Sequence, residues 1–114
     1  LGPMVRRGDD EWLAIVRWGI HGLIEAEEHG VTQDNMDQLR SSSDPAVQRI
    51  LGTAEDTGKL LGLDREWLAR AVRATGNYGE IYERNVGSKS ALAIPRGLNR
   101  QWNKGGLMYA FPVR

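Results

Sequence analysis

"RGLNRQWNKGGLMYAFPVR", residues 96–114, is the stretch whose reading decides the fold. Arg96, Arg100, Lys104 and Arg114 alternate here with Trp102, Tyr109 and Phe111. Cations that track phosphates and rings that stack on bases are the materials of a single-stranded nucleic-acid groove. The same residues can instead seal a fold, with rings inward and arginine stems spread over apolar surface. Leu98 and Trp102 stand four apart, as on one face of a helix, and Leu107, Met108 and Phe111 continue the apolar content. So much apolar surface left in water would cost solubility, and inward packing is the preferred reading. Charge points the same way. Fifteen Lys and Arg balance fifteen Asp and Glu for a net charge of zero, where a nucleic-acid module carries a positive excess.

Working outward, 114 residues suffice for one small domain with one core. Cysteine is absent, which excludes disulfides and thiolate metal sites. No apolar run approaches the ~20 residues of a membrane-spanning helix. The N-terminal "LGPMVRRGD" is extended, because Gly2 is a poor helix former and Pro3 disfavours helical geometry before it. Met4 and Val5 predict the end of a short strand, and no second convincing strand exists to pair with it. Together with a start at Leu1, this orphan strand leads us to expect a cut chain.

Helices account for the rest. Asp9, Asp10 and Glu11 place a cap and negative charge at a helix start, and Trp12, Leu13, Ile15, Val16, Ile20, Leu23 and Ile24 follow at offsets of three and four. Gly30 is the natural stop, so the first helix is expected over roughly 10–29. Thr32 is placed to cap a short second helix through Met36 and Leu39. Asp44 caps a third, with Pro45 at its first position and Gly52 after its end. Residues 53–62 read as a loop. Asp64 is expected to cap a fourth helix carrying Trp67, Leu68, Ala71 and Val72, stopped by Gly76. Tyr78, Ile81, Tyr82 and Asn85 mark a fifth, and "PRGLNRQW" begins a last short one. The fold expected is mainly α, with five or six helices and at most one short strand.

Candidate chemistry is sparse. His21, Glu25 and His29 at i, i+4 and i+8 share a helix face that a divalent metal could use, but the HExxH order is absent and a polar solvent stripe is the simpler account. Glu25, Glu27 and Glu28, and Glu80 with Glu83, are carboxylate clusters of the kind glycoside hydrolysis uses. Those at 25–28 are expected on the solvated side. Ser41, Ser42 and Ser43 lack a nucleophile-elbow context. The glycines of "GLDREW" and "GNYGE" do not form a phosphate- or dinucleotide-binding loop, so no cofactor is implied. No enzyme is read from these residues.

The strings "LGPMVRRGDDEWLAIVRWGIHGLIEAEEHGVT", "GNYGEIYERNVG" and "IPRGLNRQWNKGGLMYAFPVR" go further. Together they resemble the general L-amino-acid-binding periplasmic proteins of ABC-type uptake systems, within the family 3 extracellular solute-binding proteins. The likeness runs through essentially the whole chain. It implies the C-terminal part of a longer, two-lobed α/β clamshell, with residues 1–8 as the strand leaving the hinge and 9–114 as helices and loops clothing a lobe. It also implies a periplasmic location, capture of L-amino acids, and delivery to a membrane permease. The family's clamp, an arginine for the ligand carboxylate and an acid for its amino group, would lie upstream of Leu1. Arg6, Arg7 and Asp9 follow the hinge strand without matching that clamp, and no ligand-binding residue is assigned within 1–114.

Three expectations follow from the resemblance. The piece alone binds no ligand. Trp102, Leu107, Met108 and Tyr109 seal the helices onto the parent lobe, with the cations at the rim. Apolar surface near Met4, Val5, Trp12 and Trp18 is left open, and self-association would bury it. The alternative is a stand-alone helical interaction or nucleic-acid-binding module.

Overall fold

In the computed structural model, which describes residues 2–113, the acidic run starts the longest element. Asp9 Oδ1 accepts the Trp12 N–H at 3.0 Å and opens α1 (Asp10–Glu28). The helix closes one residue before the expected end, in a Schellman arrangement. Gly30 N–H donates to the Glu27 carbonyl and Val31 N–H to that of Ala26, with Gly30 at φ 70. Ala26 and Val31, the pair brought together by this turn, are both completely buried.

Four shorter helices follow: α2 (Met36–Leu39), α3 (Pro45–Leu51), α4 (Trp67–Thr75) and α5 (Tyr78–Asn85). α3 has the expected punctuation, with Asp44 accepting from Ala46 N–H, Pro45 in the first turn and Gly52 left-handed at its end. Asp64 acts a little earlier than expected. Its carboxylate accepts the Glu66 N–H at 2.8 Å in the turn before α4, and the helix itself begins at Trp67 without a side-chain cap. α5 begins in a full capping box between Asn77 and Glu80.

Two sequence expectations fail locally. The helix from Pro95 is two 3-10 turns, Gly97–Asn99 and Trp102–Lys104, separated by an extended Arg100. The reason lies in the backbone: Leu107 N–H donates to Leu98 and Met108 N–H to Arg100, so carbonyls that a helix would use internally serve the next segment. Gly106 permits this fold-back, since a Cβ there would strike the Arg100 carbonyl. Met4 and Val5 belong to no strand. Among the described residues, positions 2–5 make no backbone hydrogen bond, and the lone β-bridge joins Gln101 and Met108. Residues 53–62 include a short 3-10 turn at Lys59–Leu61.

α1 is the spine, packing against α3, α4 and α5. Its approach to α4 depends on Gly22, where a Cβ would lie 2.5 Å from a methyl of Leu68, itself 1% exposed. Met36, Ile50, Leu51, Leu68, Val72 and, from the far end of the chain, Val113 fill the core. The result is a slab of 39 × 38 × 24 Å, about two helix diameters thick. Burial along α1 is uneven. Gly22, Ile24, Glu25 and Ala26 in its second half are buried, while none of its first turns is.

Candidate functional site

The closing segment crosses the second half of α1, and three glutamates hold it there. Glu25 accepts the Val113 N–H at 2.8 Å. Glu27 meets the Arg96 guanidinium through both oxygens, at 2.8 and 3.1 Å, and also accepts from Gln101 Nε2 at 3.0 Å. Glu28 accepts the Trp102 indole N–H at 3.2 Å. The "EAEE" run was expected on the solvated side of the helix. Instead Glu25 is 3% exposed and Glu27 lies beneath the tail. Carboxylates placed there satisfy donors that the returning chain would otherwise bury unpaired.

Arg96 is the centre of this contact. Its guanidinium lies over the rings of Tyr78 and Tyr82, 5.6 and 5.3 Å from their centroids, and donates to the Asn99 carbonyl. Tyr82 donates to the Pro95 carbonyl, which fixes the start of the segment on α5. Burial is the main influence on three nearby groups. It raises the Glu25 carboxyl above its ordinary value against the opposing Val113 N–H, His29 and Arg49. It raises the Tyr78 phenol, and with Arg17 it lowers His21.

The residues that face inward are not those expected. Gln101, Ala110 and Val113 are buried, whereas Leu98, Trp102, Leu107, Tyr109 and Phe111 are each at least half exposed. The outward rings form a continuous chain. Trp102 and Tyr109 meet edge-on at 6.0 Å, Tyr109 and Phe111 at 6.4 Å, Phe111 tilts onto His21 at 5.3 Å, and His21 onto Trp18 at 5.6 Å. Beyond His21 lies a shallow apolar cleft shared by Pro3, Val5, Leu13, Val16 and Ile20. Met4 and Trp12 are exposed as expected, but Trp18 packs against the core. Arg114 lies outside the described residues.

The remaining candidates separate in space. No three His, Asp or Glu side chains converge on a cation position among the described residues, and the His21, Glu25 and His29 stripe is broken by the burial of Glu25. Glu80 closes the α5 capping box, while Glu83 accepts both the N–H and hydroxyl of Ser88, which holds its carboxyl below the ordinary value. Ser42 accepts the Asp44 N–H in the turn before α3, and Ser41 donates to the Gln38 carbonyl. Arg6, Arg7 and Asp9 lie exposed around the open start of α1.

The described residues form a helical layer in which the first turns of α1 are uncovered, and comparison with known proteins shows where such a layer occurs. A solved ABC transporter periplasmic binding protein from Brucella ovis, with glutathione bound, superposes with a TM-score of 0.91 at 50% identity over 96% of this chain and 35% of its own. The general L-amino acid-binding periplasmic protein AapJ of Rhizobium johnstonii is 53% identical over the whole chain. The glutamate/glutamine/aspartate/asparagine-binding protein BztA of Rhodobacter capsulatus is 48% identical over the same extent. No protein-family model matches the chain. The relatives found are thus amino-acid-binding periplasmic proteins of ABC transporters, and the fold is that of a segment of such a protein. The chain spans about a third of the length of the curated relatives it matches, 34% in each case.

Proposed function

We propose that this chain is the C-terminal part of the substrate-binding component of an ABC transporter for L-amino acids, a periplasmic protein that captures its ligand by closure of two lobes and delivers it to a membrane permease. The observation that carries the reading is identity near 50% over the entire chain to proteins named for amino-acid binding, combined with the close superposition on one third of a periplasmic binding protein. Residues 1–8 then lead in from the hinge, and 9–114 clothe a lobe.

An amino-acid zwitterion needs a free cation and a free anion converging in one pocket. The most enclosed opposite charges here, Arg96 and Glu27, neutralise each other, and Glu25 is spent on the main chain. The clamp is placed in the part of the relatives' length that this chain does not span, and 1–114 is assigned neither a ligand site nor a catalytic group. Titration calorimetry with glutamate, glutamine and other L-amino acids tests this. The full-length protein binds at least one of them and residues 1–114 none. Micromolar binding by the piece would overturn the site assignment, and no binding by the full-length protein would overturn the function.

The second reading, a single-stranded nucleic-acid module, draws on one observation: Trp102, Tyr109 and Phe111 stay exposed beside Arg100 and Lys104. It requires salt-dependent binding that weakens on Trp102→Ala or Arg100→Ala.

A further inference from the structure

All fifteen Asp and Glu of this chain lie in residues 1–83. From Arg84 onward there are six Lys and Arg and no acid, so a neutral protein divides into an acidic body and a basic closing stretch. Such asymmetry is the pattern of contact with nucleic acid or a membrane. Arg96 is paired with Glu27, but Lys89, Arg100 and Lys104 are exposed and have no carboxylate within ion-pair distance among the described residues. Glu83, the acid nearest to Lys89 in sequence, is engaged by Ser88. Four aliphatic side chains project among these cations: Leu92 is 63% exposed, Ile94 47%, Leu98 64% and Leu107 71%. An ordered backbone holds them out. Ile94 N–H donates to the Val86 carbonyl, Leu107 N–H to that of Leu98, and the Tyr82 hydroxyl fixes Pro95 between them. Ala93, between Leu92 and Ile94, takes φ 47, a left-handed conformation that disfavours any side chain, and the bonds on either side of the turn keep it there.

We infer that this flank rests on the surface of an anionic lipid bilayer. Leu92, Ile94, Leu98 and Leu107 enter between headgroups, and Lys89, Arg100 and Lys104 meet the phosphates. Charge complementarity fixes the sign of the partner, and side-chain type separates lipid from the other anionic surfaces. Bases stack on rings, and these four side chains have none. The rings nearby stand edge-on, Tyr109 to both Trp102 and Phe111, and leave no parallel slot for a base. Protein interfaces draw their energy from Trp, Tyr and Arg, with leucine and lysine under-represented. Single projecting leucines beside lysines fit instead the headgroup boundary. There, apolar side chains are buried to a shallow depth and long cationic ones stretch up to the phosphates. With zero net charge there is no long-range pull on a polyanion, so the cations act at contact, together with the inserted side chains. The inference goes beyond the transport reading. It adds an affinity for the membrane itself, which would keep a ligand carrier beside the bilayer that holds its permease.

Flotation of the full-length protein with lipid vesicles tests this. At about 20 mM salt, where screening is weak, at least about tenfold more protein should float with phosphatidylcholine vesicles containing phosphatidylglycerol than with phosphatidylcholine alone. Leu98→Asp with Leu107→Asp, and separately Lys89→Glu with Arg100→Glu, should each cut the floating fraction at least about fivefold. An unchanged unfolding midpoint shows that these exposed substitutions keep the fold. A polarity-sensitive dye on Leu107→Cys should shift to the blue on the anionic vesicles. The same dye on Leu60→Cys, 94% exposed in the Lys59–Leu61 turn, should not. Equal flotation on the two lipids, unchanged flotation of the folded variants, or a shift at Leu60 as large as that at Leu107 would each overturn the inference. So would flotation that requires the permease in the vesicles, which means a protein partner, or a stronger hold on a single-stranded oligonucleotide, which means nucleic acid. Amino-acid calorimetry on the same sample reports separately on transport.

Discussion

Glu27 and Arg96, 69 positions apart in the chain, form a two-pronged ion pair with both side chains about 15% exposed. Fork geometry and exclusion of water make this the strongest single tie between the spine and the closing segment. Arg96→Ala should cost about 3 kcal/mol, since it leaves Glu27 half-satisfied and strips the cation from between Tyr78 and Tyr82. Arg96→Lys should recover little, because an ammonium cannot reproduce the fork. Chemical denaturation of the full-length protein measures both. In a double-mutant cycle with Glu27→Ala the coupling should reach at least about 1 kcal/mol, and additivity within about 0.5 kcal/mol would mean that the pair does not act as a unit.

Glu25 makes a prediction of opposite sign to an ordinary paired carboxylate. Burial raises its folded value above the unfolded one, against the pull of Val113 N–H, His29 and Arg49, with Glu28 adding to the rise. The folded state therefore holds this proton more tightly. The associated stability is present below the unfolded value and lost as pH rises through the folded one. Glu25→Gln keeps an acceptor for Val113 and never ionises. Its stability relative to the native protein should be flat at low pH and then increase through the mildly acidic range. The gain is about 1.4 kcal/mol for each pH unit between the two values, levelling off above the folded one. Thermal unfolding from pH 4 to 7 shows this, and a relative gain toward low pH would contradict the assignment.

Much of the architecture was written in local signals, and the site was not. Asp9, Asp44, Gly30 and Gly52 mark helix ends where the chain's own periodicity puts them. "NYGE" carried a readable capping box at Asn77 and Glu80 that periodicity alone passed over. Glu25 left no comparable trace. A carboxylate in a polar run is buried here only because Val113, 88 positions later, returns an N–H to it. The tail misled for a related reason. Its helical spacing put Leu98 and Trp102 inward, but the hydrogen bonds of Leu107 and Met108 turn the segment over and bury Gln101, whose amide no apolar pattern would select.

Asn77 serves two elements at once. Its Oδ1 accepts from Glu80 N–H at 3.0 Å, and its Nδ2 donates to the buried Val31 carbonyl at 2.8 Å. Asn77→Ala removes a cap worth about 1 kcal/mol and orphans a carbonyl at about 1 kcal/mol more. Asn77→Asp keeps the cap but not the donor, and should lose roughly half as much. Equal losses for the two variants, read from denaturation midpoints, would show that the Val31 bond carries no energy.

The exposed rings of the tail, set beside Arg100 and Lys104, have a direct assay. With Glu25, Glu27 and Glu28 bonded to the tail and no net charge to attract a polyanion, residues 1–114 should leave a labelled single-stranded oligonucleotide unshifted even at about 10 mM salt, where phosphate contacts are strongest. A shift that disappears in Trp102→Ala would restore the nucleic-acid reading.

Gly22 sets two known effects against each other. Glycine inside a helix costs about 1 kcal/mol relative to alanine, so Gly22→Ala on an open surface would stabilise α1. Here the new methyl meets both terminal carbons of Leu68, at 2.5 and 2.8 Å. A leucine tip could usually turn aside, but Leu68 is enclosed by the core and has nowhere to go. Overpacking of this kind costs about 1–3 kcal/mol, which exceeds the gain in propensity, and Gly22→Ala should destabilise the protein on balance. Leu68→Ala alone should cost about 2–5 kcal/mol through the cavity it leaves. Combined, the added methyl occupies part of that cavity, and the double variant should be more stable than the sum of the single losses predicts. If instead Gly22→Ala raises the unfolding midpoint, α1 and α4 can separate freely, and the close crossing is not what fixes the slab.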